Sequence, residues 1–223
     1  MPLLDNYGRA HDDLRISVTD RCNFRCFYCM PEEGMSFLPH EEILSYEEVA
    51  RVVRLTTELG FTSYHLTGGE PLLRKDIDQL IRQMLEIQPG MDLALTTNGV
   101  YLPEMAERLY EAGLRRVNIS LDTLDENKFL LMTRRNLLDQ VLKGIEAAAA
   151  AGFSPIKINA VAIKNLTEAE LPEFAKWARE TGHIVRFIEY MPLDADKGWA
   201  REKVLTAEEI LKGLSSEGEL EIT

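Results

Sequence analysis

The chain has 223 residues, 45% of them hydrophobic, and sets 37 acidic side chains against 25 basic ones for a formal net charge of −12. That length is enough for one large domain with a sizeable core. The acidic balance argues against a nucleic-acid-binding surface, and no apolar run reaches membrane-spanning length, so a cytoplasmic protein with neither nucleic acid nor membrane as partner is expected.

Residues 1–12 read as an N-terminal arm, followed by a strand over Leu14–Thr19 in which Arg15, Ser17 and Thr19 share one parity and Leu14, Ile16 and Val18 the other. The run Arg21–Met30 then carries the only three cysteines, Cys22, Cys26 and Cys29, spaced C-x₃-C-x₂-C. Three thiols so close in sequence bend readily toward a common centre. A structural zinc site wants four Cys or His ligands, and His11, His40, His65 and His183 are scattered. Iron–sulfur clusters are normally held by four thiolates, so three leave one iron open to a substrate or cosubstrate. An odd number of cysteines at short intervals makes a poor disulfide framework. The spacing favours a cluster over zinc, a redox pair or structural thiols.

A helix over Tyr46–Glu58 leads to a strand over Thr62–Thr67, which ends in Thr67-Gly-Gly-Glu-Pro71. Its glycines admit a ligand close to the backbone; a strand-to-helix turn needing glycine for conformation alone is the plainer alternative. Helices over Lys75–Glu86, Pro103–Glu111, Leu137–Ala151 and Glu168–Thr181 alternate with strands over Asp92–Thr97, Arg116–Leu121, Pro155–Ile163 and His183–Met191. Gly60, Gly113 and Gly152 stand where left-handed helix caps are wanted. Asp76 and Glu168 lie at helix starts, and Pro103 suits a first turn.

Strands separated by helices imply parallel pairing with right-handed crossovers. The expected fold is α/β, a partial (β/α)6 barrel of parallel strands forming a single domain over 1–223. A half-exposed antiparallel sheet shows the same alternation, but the intervening helices argue against it. Polar residues share the parity of Arg15 on the later strands: His65 with Thr67, Thr96 with Asn98, Asn118 with Ser120 and Asp122, and Lys157 with Asn159. They read as the lining of a wet lumen. Arg15 and Lys157, as inward charges, want an anion, or a lumenal carboxylate such as Asp122. The alternation of the last strand leaves the direction of Arg186 open, and Arg74, Lys75, Arg134 and Arg135 read as solvated surface.

The cysteine run, with Tyr28 before its last cysteine, resembles that of the radical S-adenosylmethionine (SAM) superfamily. An ordered set of motifs up to about Trp199 resembles one family within it, the MoaA-type GTP 3′,8-cyclases of molybdenum-cofactor biosynthesis. These are Asp5-Asn-Tyr-Gly-Arg9, Leu14-Arg-Ile-Ser-Val-Thr-Asp-Arg-Cys-Asn-Phe-Arg-Cys26, Tyr28-Cys-Met-Pro31, Leu66-Thr-Gly-Gly-Glu-Pro-Leu-Leu-Arg74, Leu95-Thr-Thr-Asn-Gly99, Leu114-Arg-Arg-Val-Asn-Ile-Ser-Leu-Asp122 and Arg186-Phe-Ile-Glu-Tyr-Met191.

The resemblance implies a radical SAM lyase with a radical-SAM barrel and one 4Fe-4S cluster on Cys22, Cys26 and Cys29, its open iron chelated by SAM. It implies SAM contacts from Tyr28 beside the adenine, from Gly68, Gly69 and Glu70 at the amino group, from Ser120, and from the backbone of Met191; read from its type alone, Met191 is equally core filler. Arg15, Thr96 and Lys157 match residues that contact GTP, with His65 and Arg186 as further candidates. The implied reaction turns GTP into (8S)-3′,8-cyclo-7,8-dihydroguanosine 5′-triphosphate through a 5′-deoxyadenosyl radical. An electron donor such as flavodoxin or ferredoxin, and a homodimer, are implied partners.

The chain departs from the family at His65, where an arginine is usual, and at Ser63, often a lysine. It also lacks the three further cysteines of a second 4Fe-4S cluster. Residues from about 200 to 223 are therefore expected to begin a missing C-terminal region, with Glu217–Thr223 reading like a strand start, and the chain is expected to turn over GTP poorly. Two alternatives stand: a radical SAM enzyme acting on a smaller, non-nucleotide substrate, and a non-catalytic, metal-stabilised module.

Overall fold

The computed structural model describes residues 3–193, 198–215 and 218; the strand start expected at Glu217–Thr223 lies outside them. An exposed hairpin of β1 (Leu3–Leu4) and β2 (Ala10–His11) turns at Asp5, whose carboxylate accepts from the Tyr7 and Arg9 amides. Six strands then form one sheet in sequence order: β3 (Asp13–Ser17), β4 (Ser63–Thr67), β5 (Asp92–Thr97), β6 (Arg116–Ser120), β7 (Lys157–Ala162) and β8 (Ile184–Glu189). Every neighbouring pair is parallel. The expected partial barrel of parallel strands is present, and β3 and β8 are its edges among the described residues.

The crossovers are made by α1 (Tyr46–Glu58), α2 (Ile77–Ile87), α3 (Leu102–Glu111), α4 (Glu126–Thr133), α5 (Leu138–Ala150) and α6 (Leu171–Thr181), with α7 (Ala207–Leu214) after β8. Ser45 caps α1 through a reciprocal capping box with Glu48, so the sequence defines that start sharply. Two expected starts move. Asp76 is left-handed (φ 58°) and its side chain makes no cap bond, so α2 begins at Ile77. Glu168–Glu170 is a single 3-10 turn ahead of α6.

Helix α4 was not expected from the sequence. Phe129, Leu130, Leu131 and Met132 are consecutive and draw no stripe at helical spacing. Only Phe129 and Met132 are buried, while Leu130 and Leu131 stay exposed.

The outward parity of the strands meets these helices. Leu66, Leu95, Val117, Ile119 and Ile158 share one core cluster with Ile77, Leu80, Leu109, Val141 and Ile145. Helix α5 approaches the turn into α3 closely because Gly144 carries no side chain: a Cβ there would stand 2.1 Å from the Gly99 carbonyl oxygen and 3.3 Å from the Leu102 Cβ. Gly144→Ala is therefore expected to lower stability by about 1–3 kcal/mol, the usual cost of overpacking. Urea unfolding checks it as a lower midpoint with an unchanged slope.

Candidate active site

At the carboxyl ends of the strands a cavity of about 230 Å³ is lined by Cys22, Cys26, Cys29, Tyr28, Gly68, Gly69, Glu70, Thr96, Ser120 and Asp122, among others. The three sulfurs thus face one space. Among the described residues no three His, Cys, Asp or Glu groups converge as they would on a single ion. The three cysteines share one cavity wall. Burial pushes all three thiols up, so metal ligation there releases protons. The donor set fits an iron–sulfur cluster with one position left open.

The cysteine loop is positioned from two sides. On the first, the Gly68–Glu70 turn packs backbone against backbone. The Gly69 amide donates to the Thr19 carbonyl and the Glu70 amide to the Arg21 carbonyl, both at 2.7 Å. A Cβ on Gly69 would stand 2.2 Å from the Arg21 oxygen, and one on Gly68 2.5 Å from that of Thr19. These glycines serve the chain's own close packing as well as lining the cavity.

The Glu70 side chain is 1% exposed. Its carboxylate accepts from the Thr97 hydroxyl (2.7 Å), the Asn98 amide (2.7 Å) and the Leu72 amide (3.0 Å). Burial pushes its pKa up and these donors pull it back. Its first role is thus to tie the turn after β4 to the end of β5. The Asn98 side chain extends the tie by donating to Asn23, beside Cys22, at 2.7 Å.

On the second side the segment from α4 into α5 grips the loop. The Arg25 and Phe27 amides donate to the Thr133 and Met132 carbonyls, each at 3.0 Å. Arg134 donates to the Arg25 and Met30 carbonyls, and Arg135 to that of Asn23. Arg74 reaches the Val18 and Leu44 carbonyls. The expectation of solvated surface at Arg74, Arg134 and Arg135 is therefore wrong: each guanidinium spans several carbonyls of an irregular loop, a demand invisible to strand and helix periodicity. Lys75 is exposed, as expected.

The remaining expected SAM contacts divide. Tyr28 donates its hydroxyl to Asp122, which also accepts from the Val161 amide. Burial holds the Tyr28 phenol well above its usual range and pushes Asp122 up to about 6. Asp122 pairs with neither Arg15 nor Lys157, which removes the alternative of a lumenal ion pair. Ser120 lines the cavity, whereas Met191 lies outside its lining and is half exposed.

Deeper in the lumen, strand register aligns Arg15 with His65 and Asn118 with both Thr96 and Lys157. The His65 Nε2 lies 2.5 Å from the Thr96 hydroxyl and 3.1 Å from the Asn118 amide nitrogen. Arg186 donates to Asn118 (2.9 Å) and Asn159 (3.0 Å), so its side chain points inward. Burial, then the charge of Arg15, holds His65 below the usual imidazole range, and the ring is neutral near pH 7. Arg116, overlooked in the sequence although it shares the parity of Asn118, pairs with Asp92 at the lower rim. Among the described residues neither Arg15 nor Lys157 is ion-paired with a carboxylate. The lumen thus carries inward cations beyond what the chain itself neutralises.

The family model of the radical SAM superfamily matches residues 16–178. Among curated proteins, the GTP 3′,8-cyclase of Thermodesulfovibrio yellowstonii is 49% identical over 207 residues, 92% of this chain and 64% of that protein. The GTP 3′,8-cyclase of Rhodopirellula baltica is 49% identical over 214 residues, 96% of this chain and 60% of that protein. The chain therefore spans less than two thirds of these relatives' length. Two solved structures share the fold. That of anSMEcpe with bound AdoMet has a TM-score of 0.71 at 19% identity, over 92% of this chain and 57% of that one. Streptococcus suis SuiB bound to S-adenosylmethionine has a TM-score of 0.63 at 24% identity, over 79% of this chain and 39% of that one.

Replacing Glu70 by Ala strips the acceptor from three donors near the cysteine loop. A loss of about 2–3 kcal/mol is expected, as for hydrogen bonds to a buried charge, read by equilibrium unfolding of the unreconstituted chain.

Proposed function

The chain belongs to the radical SAM superfamily, and from that membership we propose that it is the SAM-binding barrel of a GTP 3′,8-cyclase acting in molybdenum-cofactor biosynthesis. The observation that carries the reading is the joining of two sites through Thr96, which lines the cysteine cavity and also bonds His65 of the cationic lumen. A nucleoside triphosphate whose sugar lies at the cavity and whose phosphates meet Arg15, Lys157 and Arg186 uses both.

In this reading Cys22, Cys26 and Cys29 hold a 4Fe-4S cluster, and Gly68, Gly69, Glu70, Tyr28, Ser120 and the Met191 backbone surround SAM. When bound, the pair supplies one-electron cleavage of the sulfonium and the 5′-deoxyadenosyl radical that takes the ribose 3′ hydrogen. The protein's own part is positional. The inward cations fix the phosphates so that the sugar meets the cavity in one orientation. Bond formation between C3′ and guanine C8 then needs one electron and one proton to reach the dihydro product. A reductant of flavodoxin or ferredoxin type and a homodimer belong to the same proposal.

A specific observation favours a second reading. His65 stands neutral where the resembled family presents a cation, which suits a radical SAM reaction on a smaller, non-nucleotide substrate. GTP binding separates the two. Under the first reading, Arg15→Ala and Lys157→Ala each weaken GTP binding about 10- to 100-fold, measured by calorimetry, and His65→Arg tightens it. No measurable GTP binding by the parent chain would leave the second reading.

Anaerobic reconstitution, iron and sulfide quantitation, and low-temperature EPR with and without SAM test the cluster. One cubane signal that changes with SAM is expected; a signal indifferent to SAM, or no cluster, refutes the assignment. The sequence has three cysteines in all, which hold one cluster and not two. The 223-residue chain is accordingly expected to bind cluster and SAM yet cyclise GTP at a small fraction of a full-length relative's rate. Product formation at that full rate refutes this expectation.

A further inference from the structure

Arg134 ends α4 in the left-handed conformation, φ 57° and ψ 29°, with its amide bonded to the Leu130 carbonyl. Glycine is the ordinary occupant of such a position, and a residue with a Cβ pays for being there. Something must offset that strain. The guanidinium lies 3.2 Å from the carbonyl oxygens of both Arg25 and Met30. Those carbonyls directly precede Cys26 and directly follow Cys29. The Cys29 and Met30 amides both donate to the Cys26 carbonyl, so this stretch is a tight turn with a cysteine at each end. Arg134 bridges the turn from outside, and the backbone bonds from Arg25 and Phe27 to Thr133 and Met132 deliver it there.

We propose that Arg134 is a positioning residue for the cysteine loop. Arginine is kept at a glycine-like position because a single guanidinium nitrogen, Nη1, donates to both carbonyls and so fixes the separation of Cys26 and Cys29 for cluster ligation. The inference rests on the cluster assignment above. It differs from the neighbouring contacts in one testable respect: the strained backbone and the positioning side chain belong to the same residue. Arg134→Gly removes the guanidinium while relaxing the backbone. Arg134→Lys keeps a cation but on a shorter, unbranched stem without the guanidinium.

The experiment compares the full chain with both variants in three measurements: thermal unfolding before reconstitution, the rate of iron release to a chelator after it, and the EPR change on adding SAM. With Arg134→Gly the unfolding transition is expected to hold or rise. Iron release is expected to quicken about 10- to 100-fold, as when partners that orient metal ligands are removed, and the SAM-induced EPR change to weaken or vanish. Arg134→Lys should fall between parent and Arg134→Gly. Iron release and EPR response at parental values in Arg134→Gly overturn the proposal. So does faster release matched by an equal loss of overall stability, since that marks an ordinary helix cap. Failure of the parent chain to build a cluster overturns the assignment beneath it.

Discussion

One buried carboxylate sets the geometry at the mouth of the barrel. Glu70 leaves β4 through a turn whose backbone is pressed against residues 19–21, and its oxygens collect donors from Leu72, Thr97 and Asn98. Asn98 carries the connection on to Asn23 within the cysteine loop. A carboxylate taken out of water is costly unless its oxygens are satisfied, so the arrangement tolerates little slack. Strand ends that would otherwise be independent are registered against the segment bearing the thiols. The Gly68–Gly69 pair is part of the same constraint, because no side chain fits between the two backbones.

The opposite wall is built with arginines. Loops that carry ligands lack ladder hydrogen bonds, and their carbonyls need donors from elsewhere. Arg25, Arg134 and Arg135 supply several such donors per side chain. The loop is therefore held largely through its backbone carbonyls, with the three cysteines on the cavity wall. Thr123, Leu124 and Lys128 meet on buried Glu170, which anchors the approach to α4 and so the platform from which Arg134 and Arg135 reach.

How much of this was legible follows from periodicity. Strand alternation named the lumenal side chains, and Arg15, His65, Thr96, Lys157 and Asn159 share the parity read from sequence. The direction of Arg186 was not legible, since β8 lies at an edge and its burial alternates only weakly; its bonds to Asn118 and Asn159 decide it. Cys22, Cys26 and Cys29 announced themselves by spacing. Arg134 and Arg135 did not, because a basic pair after an apolar run looks like surface until α4 turns it back toward a loop more than 100 residues earlier. Contacts of that range leave no local trace in composition.

His65 shows how the same lumen can be read as compromise instead of defect. A guanidinium in its place would stand near Arg15, Arg116 and Arg186, whose charges add to burial in holding the imidazole below its usual range. A further cation would add like-charge repulsion inside a half-buried space, where screening is weak. The neutral ring avoids that cost and closes a chain of polar contacts from Thr96 through His65 and Asn118 to Arg186 and Asn159. Arg186 is thereby held in one orientation across the lumen, while Arg15 and Lys157 keep charge unspent on any carboxylate of the described residues. Grip on an anion is then shared between fixed and uncommitted cations, and the histidine contributes by fixing the first of these without adding a charge of its own.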